Sequence, residues 1–288
     1  MVTWNPPLGI GPIRFYALFW MIGLAGAYFA VQRLYKEQKI KDELFEPLFF
    51  YCFFGILVGA RLGHCIFYEP QYYFADFPRF LEMLLPIRFT GTGVRLIGYQ
   101  GLASHGGTLG LMIALYLYVR KYKVGLWTVL DDIAIATPIT ACCIRLGNLM
   151  NSEIIGNITN VPWGFKFVRL YGAMPLENIP VRHPAQLYEA LCYIVTFVVL
   201  LWLYYKRDMG RRHAGIMFGV GLVGIFVTRF FIELVKINQE AFEEGMLLNM
   251  GQLLSVPFII MAGVVIWLGA KDKLPVCRPQ SSRKSNRK

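Results

Sequence analysis

Seven apolar runs of about twenty residues, separated by short charged connections, leave this chain few ways to fold. In hydrocarbon every backbone N–H and C=O needs an internal partner. An α-helix of about 20 apolar residues supplies those partners while crossing a core ~30 Å thick. The runs are about Arg14–Gln32, Glu46–Phe67, Gly101–Val119, Trp127–Ile144, Ala185–Tyr205, Ala214–Val235 and Gln252–Ala270. The third and fourth are the weakest, being short and glycine-rich or carrying charge. Of the 288 residues 56% are hydrophobic and the mean hydropathy is +0.47, outside the range of soluble domains. The chain reads as an all-α integral membrane protein with about seven transmembrane helices. It forms a single polytopic domain over residues 1–274, followed by a basic, disordered cytoplasmic tail over 275–288 that is drawn to anionic lipid.

Orientation follows from the positive residues. Arg33, Lys36, Lys39 and Lys41 follow the first run, Arg120, Lys121 and Lys123 the third, and Lys206, Arg207, Arg211 and Arg212 the fifth. The tail is basic, whereas Met1–Pro12 has no Lys or Arg and the loop holding Glu240, Glu243 and Glu244 is acidic. Alternate connections are therefore cytoplasmic, with the N-terminus external (periplasmic) and the C-terminus inside. Met1–Pro12 also lacks the basic region and cleavage site of a signal peptide, so the first run stays as a span. Two external segments are long, roughly Tyr68–Gln100 and Asn151–Pro184. The first suits amphipathic pieces lying along the membrane surface, the second a small external cap between spans four and five. The net charge of +11 sits in these connections rather than on a basic face with interleaved aromatics, which excludes nucleic acid as a partner. The six cysteines form no C-x-x-C pair and the four histidines no ligand spacing, so neither a disulfide framework nor a metal site is expected.

The densest polar stretch is Arg145–Gly156, reading R-L-G-N-L-M-N-S-E-I-I-G directly after the fourth run. Arg145 offers a planar fork of donors suited to phosphate, Asn148 and Asn151 donate and accept, and Glu153 orients the arginine or moves a proton. Gly147 and Gly156 let backbone come close. The topology puts the other intramembrane polar residues at the same depth. Tyr16 opens span one, His105 span three, and Gln186, Tyr188 and Glu189 span five, while Arg61 lies late in span two and Arg229 and Glu233 late in span six. All fall in the external half and describe one polar site facing the outer leaflet. Arg229 and Glu233, four apart, are spaced to pair on one helix face. Where some of Glu153, Glu189 and Glu233 serve as orienters, Arg61, Arg145 and Arg229 outnumber what structural pairing needs, which points to an anionic headgroup such as a phospholipid phosphate. His105 is the histidine placed for acid–base work, and Gly106 and Gly107 after it allow close backbone approach. Adjacent Ser104 does not face it along a helix, and no G-x-S-x-G elbow occurs, which argues against a serine hydrolase. A lipid or small-anion transporter with an outward-facing arginine-lined site is the rival reading. It prefers polar residues at the bilayer midplane and internal repeats, and neither is apparent.

His105-Gly106-Gly107, the Arg145–Gly156 stretch and His183-Pro-Ala-Gln-Leu-Tyr-Glu189 resemble the bacterial prolipoprotein diacylglyceryl transferase family. Phe15-Tyr16, Gly59-Ala-Arg-Leu-Gly63, Phe67-Tyr68 and Arg229–Glu233 extend the resemblance over nearly the whole chain, with departures at Ile144, Leu149, Asn157 and Ile225. It implies a multi-pass protein of the bacterial inner membrane that moves the diacylglyceryl group of phosphatidylglycerol to the lipobox cysteine in a prolipoprotein signal peptide. Glycerol phosphate is released and no cofactor is required. On that implication Arg145 holds the phosphate, oriented by Asn148, Asn151 and Glu153. Arg229 neutralises developing charge, His105 is the candidate base, and Tyr16 and Arg61 line the cavity that takes membrane lipid. Gly106, Gly107, Gly156, Gln186, Tyr188, Glu189 and Glu233 complete the substrate-binding set.

Overall fold

The computed structural model describes residues 1–90, 93–96, 101–237 and 248–275, without the side chains of Ser104 and Arg211. The tail beyond Pro275 and the acidic residues Glu240, Glu243 and Glu244 lie outside the described residues. Strands β1 (Val2–Trp4), β2 (Gly9–Ile10) and β3 (Ile13–Arg14) precede helix α1 (Phe15–Glu37), and a 3-10 turn at Asp42–Leu44 leads into α2 (Phe45–Phe67). Then come α3 (Pro70–Tyr73), α4 (Phe77–Leu84), β4 (Ile87–Thr90), β5 (Gly93–Leu96), α5 (Ser104–Tyr122) and α6 (Leu126–Asn151). The chain continues through β6 (Phe165–Phe167), α7 (Val168–Tyr171), α8 (Ala185–Arg207), α9 (Met209–Arg212) and α10 (Ile216–Ile232). A 3-10 turn at Glu233–Val235 and α11 (Met250–Ala270) complete it.

Six of these elements are long and apolar enough to cross a membrane: α1, α2, α6, α8, α10 and α11. Counted with the 3-10 turns that adjoin α2 and α10, they hold 20 to 26 residues and at 1.5 Å per residue reach about 30 Å or more. The expected third span is the helix α5, but its polar start at Ser104-His105-Gly106-Gly107 leaves it short of the apolarity of the other six. Half of the central window of α6 is buried, against a third or less for the rest. That accounts for its charge: the buried Asp131 carboxylate accepts the backbone N–H groups of Gly215 and Phe218, both at 2.8 Å, and so caps the start of α10 from a neighbouring helix. The helix also outruns its apolar run, continuing through Arg145, Asn148 and Asn151. Its final carbonyls are satisfied from outside, Leu149 O by the Trp4 indole at 2.8 Å and Met150 O by Arg169 Nη1 at 2.6 Å.

The described residues gather into two compact units, one of Met1–Leu34 with those within Trp127–Cys277, the other of those within Tyr35–Leu126. In the first, Leu34, Ile135, Leu200, Tyr204, Ile216 and Met217 form a buried apolar cluster. Phe226 and Phe258 stack with ring centroids 4.3 Å apart where α10 meets α11. The segment between α6 and α8, expected as an external cap, is structured, and it has a strand partner the sequence reading did not foresee. The N-terminal β1 pairs in parallel with β6, Val2 opposite Phe165 and Trp4 opposite Phe167. Leu149, Phe165 and Phe167, with Trp4, Ile155 and Leu187 against them, give the cap its own core.

In the second unit α2 and α5 pack backbone to backbone. Gly55, Gly59 and Gly63, spaced by four, face Gly106, Gly110 and Ala114, and a Cβ on Gly55 would sit 2.8 Å from the Gly110 carbonyl oxygen. Small residues at this spacing let helices approach where no hydrophobic effect drives them together. The segment expected to hold pieces lying along the membrane surface contains α3, α4 and the antiparallel pair β4–β5. Asp76 caps α4 by accepting the Arg79 N–H at 2.9 Å, and Pro78 occupies its first turn, as helix starts require. Phe74, Phe77, Leu84 and Leu85 are exposed around it.

Candidate active site

The first unit assembles most of the polar residues into two hydrogen-bonded strings that meet at Arg145. One string is local. Arg145 Nη1 donates to Asn148 Oδ1 at 3.2 Å, and Asn148 Nδ2 donates to Glu153 Oε2 at 2.9 Å. Asn151 Nδ2 donates to Glu153 Oε1 at 3.0 Å. Arg145 and Asn148 stand three apart and so share a face of α6, and the chain then doubles back to bring Glu153 under them. The turn is strained: Ser152 and Ile154, flanking Glu153, sit at φ 60° and 56°. Such a conformation costs about 1–3 kcal/mol per residue, most for a β-branched side chain, and persists where surrounding contacts impose it. Here the Gln186 amide donates to the Glu153 carbonyl.

The other string is ionic and crosses elements. Arg145 Nε lies 2.6 Å from Glu189 Oε2 on α8, a close ion contact off the direction of a hydrogen bond. Glu189 Oε1 accepts from Lys236 Nζ at 2.9 Å, and Lys236 Nζ also donates to Glu233 Oε2 at 2.9 Å. Glu189 is fully buried, Glu233 and Lys236 nearly so. Burying such charges is tolerable only when each is paired, and the alternation of cation and anion along the string achieves that.

Glycines fix this approach. Gly156 bridges Lys236, and a Cβ there would lie 2.6 Å from the His183 carbonyl oxygen and 2.8 Å from that of Val235. Gly251 leaves room for the Glu233 carboxylate, whose Oε1 would be 2.6 Å from a Cβ at that position. Gly147 admits Tyr16, whose ring would be 3.0 Å from a Cβ there. Tyr188, expected in the site, serves the cap beside it: its hydroxyl accepts from Trp163 Nε1 at 2.8 Å and lies 3.1 Å from His183 Nδ1.

Two expectations change. Arg229 and Glu233 form no hydrogen bond or ion pair among the described residues, because α10 tightens into a 3-10 turn at Glu233 and Lys236 takes its carboxylate. The expected surplus of arginines is not found here either. This cluster holds three cations (Arg145, Arg229, Lys236) against three carboxylates (Glu153, Glu189, Glu233), because Arg61 belongs to the second unit. There Arg61 donates through Nε to Met83 O at 3.2 Å and through Nη2 to Glu82 O at 2.8 Å, closing the last turn of α4, with its guanidinium over the Tyr73 ring at 4.9 Å. His105 is also in the second unit, exposed on the first turn of α5, while Gly106 faces Gly59 and Gly63 in the helix contact. Lys236 is the residue that sequence reasoning missed. It lies just past the apolar run that ends at Val235, and its pairing with Glu189 spans 47 residues.

Several buried polar atoms here have no hydrogen-bond partner among the described residues: Asn151 Oδ1, Ser152 Oγ, Gln186 Oε1, Glu189 Oε2 and Arg229 Nε. Buried polar atoms are rarely left unbonded, so these atoms call for partners beyond the described residues, such as water or a polar ligand.

Comparison with known proteins identifies the family. The profile of a family described as "Prolipoprotein diacylglyceryl transferase" matches residues 7–268. A protein of Bacteroides fragilis named phosphatidylglycerol--prolipoprotein diacylglyceryl transferase is 52% identical over 279 residues, covering 94% of this chain and 96% of its own. Proteins of the same name from Porphyromonas gingivalis and Tolumonas auensis are 46% and 40% identical. They cover 89% and 95% of this chain and 88% and 99% of their own. The chain, with six helices among the described residues long and apolar enough to cross a membrane and with its buried arginine–carboxylate cluster, belongs to the prolipoprotein diacylglyceryl transferase family.

Proposed function

We propose that this protein carries out the first step of lipoprotein maturation, transferring diacylglyceryl from phosphatidylglycerol to the lipobox cysteine of a prolipoprotein. The sulfur forms a bond to the glyceryl carbon, and the C–O bond to phosphate breaks. The electron pair leaves with the phosphate oxygen, and the thiol proton passes to a base. A phosphodiester with one negative charge becomes glycerol phosphate with a second, so stabilisation is needed where that charge grows.

The observation that carries this reading is the set of buried polar atoms without a hydrogen-bond partner among the described residues, which includes Arg229 Nε and, against Arg145, Glu189 Oε2. Arg229, without a partner among the described residues, is the guanidinium ready for phosphate. Arg145 is held by Glu189 and Asn148 and adds charge from a fixed position. Asn151 Oδ1 and Gln186 Oε1 suit the hydroxyl groups of the departing glycerol. Asn148, Asn151 and Glu153 orient Arg145, and Tyr16, packed at Gly147, lines the lipid side. For the thiol proton, His105 is the candidate base, since imidazole titrates near neutrality. The proposed membrane arrangement has α5 as the third of seven spans, the N-terminus external, the C-terminus cytoplasmic and the site at outer-leaflet depth. The basic residues in alternate connections support it.

The test is transfer of labelled diacylglyceryl from phosphatidylglycerol to a lipobox peptide. The intact protein should transfer it, Arg145→Ala should not, and His105→Ala should lose activity if it is the base. Substantial activity in His105→Ala would remove that role. No transfer from any anionic phospholipid would end the transferase reading and return the site to an anion transporter.

A further inference from the structure

We propose that Lys236 is the positioning cation of this site: by holding Glu189 and Glu233 together, it keeps both carboxylates off Arg229 and so leaves that arginine free for a lipid phosphate. The inference rests on the transferase reading of the site and extends it to a residue whose own side chain touches no reacting atom.

Lys236 is 4% exposed, and a lysine so buried persists only where its charge is met. Its Nζ meets two carboxylates at 2.9 Å each, from α8 and from the 3-10 turn after α10. The backbone is pinned as well, since Lys236 bridges Gly156 and the neighbouring Asn157 N–H donates to Val235 O at 2.8 Å. The position of Nζ is thus set by the same turn that carries Glu153.

The charge balance gives this placement a consequence. Without Lys236 the cluster would hold three carboxylates and two arginines. Arg229 stands one helical turn before Glu233, at the spacing where an arginine and a glutamate pair. It nevertheless has no partner among the described residues, with a buried Nε and no bond to Glu233. Lys236 is what satisfies Glu233 in its place. Neutralising Lys236 should therefore return Glu233 to Arg229 and occupy the donors meant for phosphate.

The experiment uses the full chain in nanodiscs of graded phosphatidylglycerol content. It measures kcat and KM for transfer to a lipobox peptide, together with phosphatidylglycerol retention by native mass spectrometry. Lys236→Met should raise KM about tenfold with kcat within about threefold. Lys236→Arg should recover most of the affinity, since it keeps the cation. The double variant Lys236→Met/Glu233→Gln should also recover most of it, because the freed carboxylate is gone. A structural role alone would not produce that recovery. If Lys236→Met does not fold, the double variant, which carries no surplus charge, decides by itself: a KM near that of the intact protein supports the proposal, and a raised one overturns it. A folded Lys236→Met with unchanged KM overturns it as well. If the intact protein retains phosphatidylglycerol but transfers nothing, the transferase reading fails separately. Retention then decides for Lys236: loss in the single variant with recovery in the double upholds it, and equal retention overturns it.

Discussion

The two units solve the problem of packing in a membrane by opposite means. In the unit of Tyr35–Leu126, α2 and α5 meet through Gly55, Gly59, Gly63, Gly106 and Gly110, and close backbone approach does the joining. In the other unit the elements around α6 are held by alternating charge, from Arg145 through Glu189 and Lys236 to Glu233. Dispersion between small residues is well satisfied and asks for nothing further. The charge string leaves unbonded atoms at its edge. A chain that only needed to be held together could use the first device throughout, and the proposed function assigns the second to handling the ligand.

Substitutions should separate the two devices. The largest stability effect should come from Glu189→Ala, which strips both Arg145 and Lys236 of a buried partner. It should cost about 3–5 kcal/mol, seen as a large drop in Tm in detergent together with lost transfer. Arg229→Ala should do the reverse. Its guanidinium has no hydrogen-bond or ion-pair partner among the described residues, so Tm should hold while kcat/KM falls by about 10²–10³ for want of charge stabilisation, as single-turnover transfer would read. Gly110→Leu drives a side chain into the Gly55 carbonyl and should cost about 1–3 kcal/mol of stability, leaving the transfer rate of the folded fraction intact. The smallest change in Tm should follow Ile154→Gly. Relief of the left-handed strain and the added freedom of the unfolded chain offset each other to within about 1 kcal/mol. Transfer should still fall several-fold, because Glu153 loses its fixed place.

Much of this was legible in the chain, and what was not has physical causes. The apolar runs locate α1, α2, α8, α10 and α11 closely, since helix length in a membrane is set by its thickness. Hydropathy alone ended the fourth run at Ile144, but caps from Trp4 and Arg169 carry α6 on to Asn151. Those caps are tertiary and invisible to a local window, as is the pairing of β1 with β6, which α1 to α6 separate in the chain. The spacing of Arg229 and Glu233 suggested a pair that the 3-10 turn and Lys236 break. Arg61 looked like a site residue by depth, yet it spends its donors on the carbonyls of α4. The four-residue glycine spacing in α2 was readable and went unread. Of the candidate site, Arg145, Asn148, Asn151, Glu153, Gln186 and Glu189 come together as expected, and Lys236 is the addition.

The central claim is that the unpartnered polar atoms beside Arg229 and Arg145 receive the phosphate and glycerol of the lipid. A cryo-EM or crystal structure of the protein in phosphatidylglycerol tests it directly. The account predicts the phosphate within hydrogen-bond reach of Arg229, near Arg145, with glycerol oxygens at Asn151 Oδ1 or Gln186 Oε1. A phosphate bound elsewhere, with Arg229 still unpartnered or turned to Glu233, would contradict it.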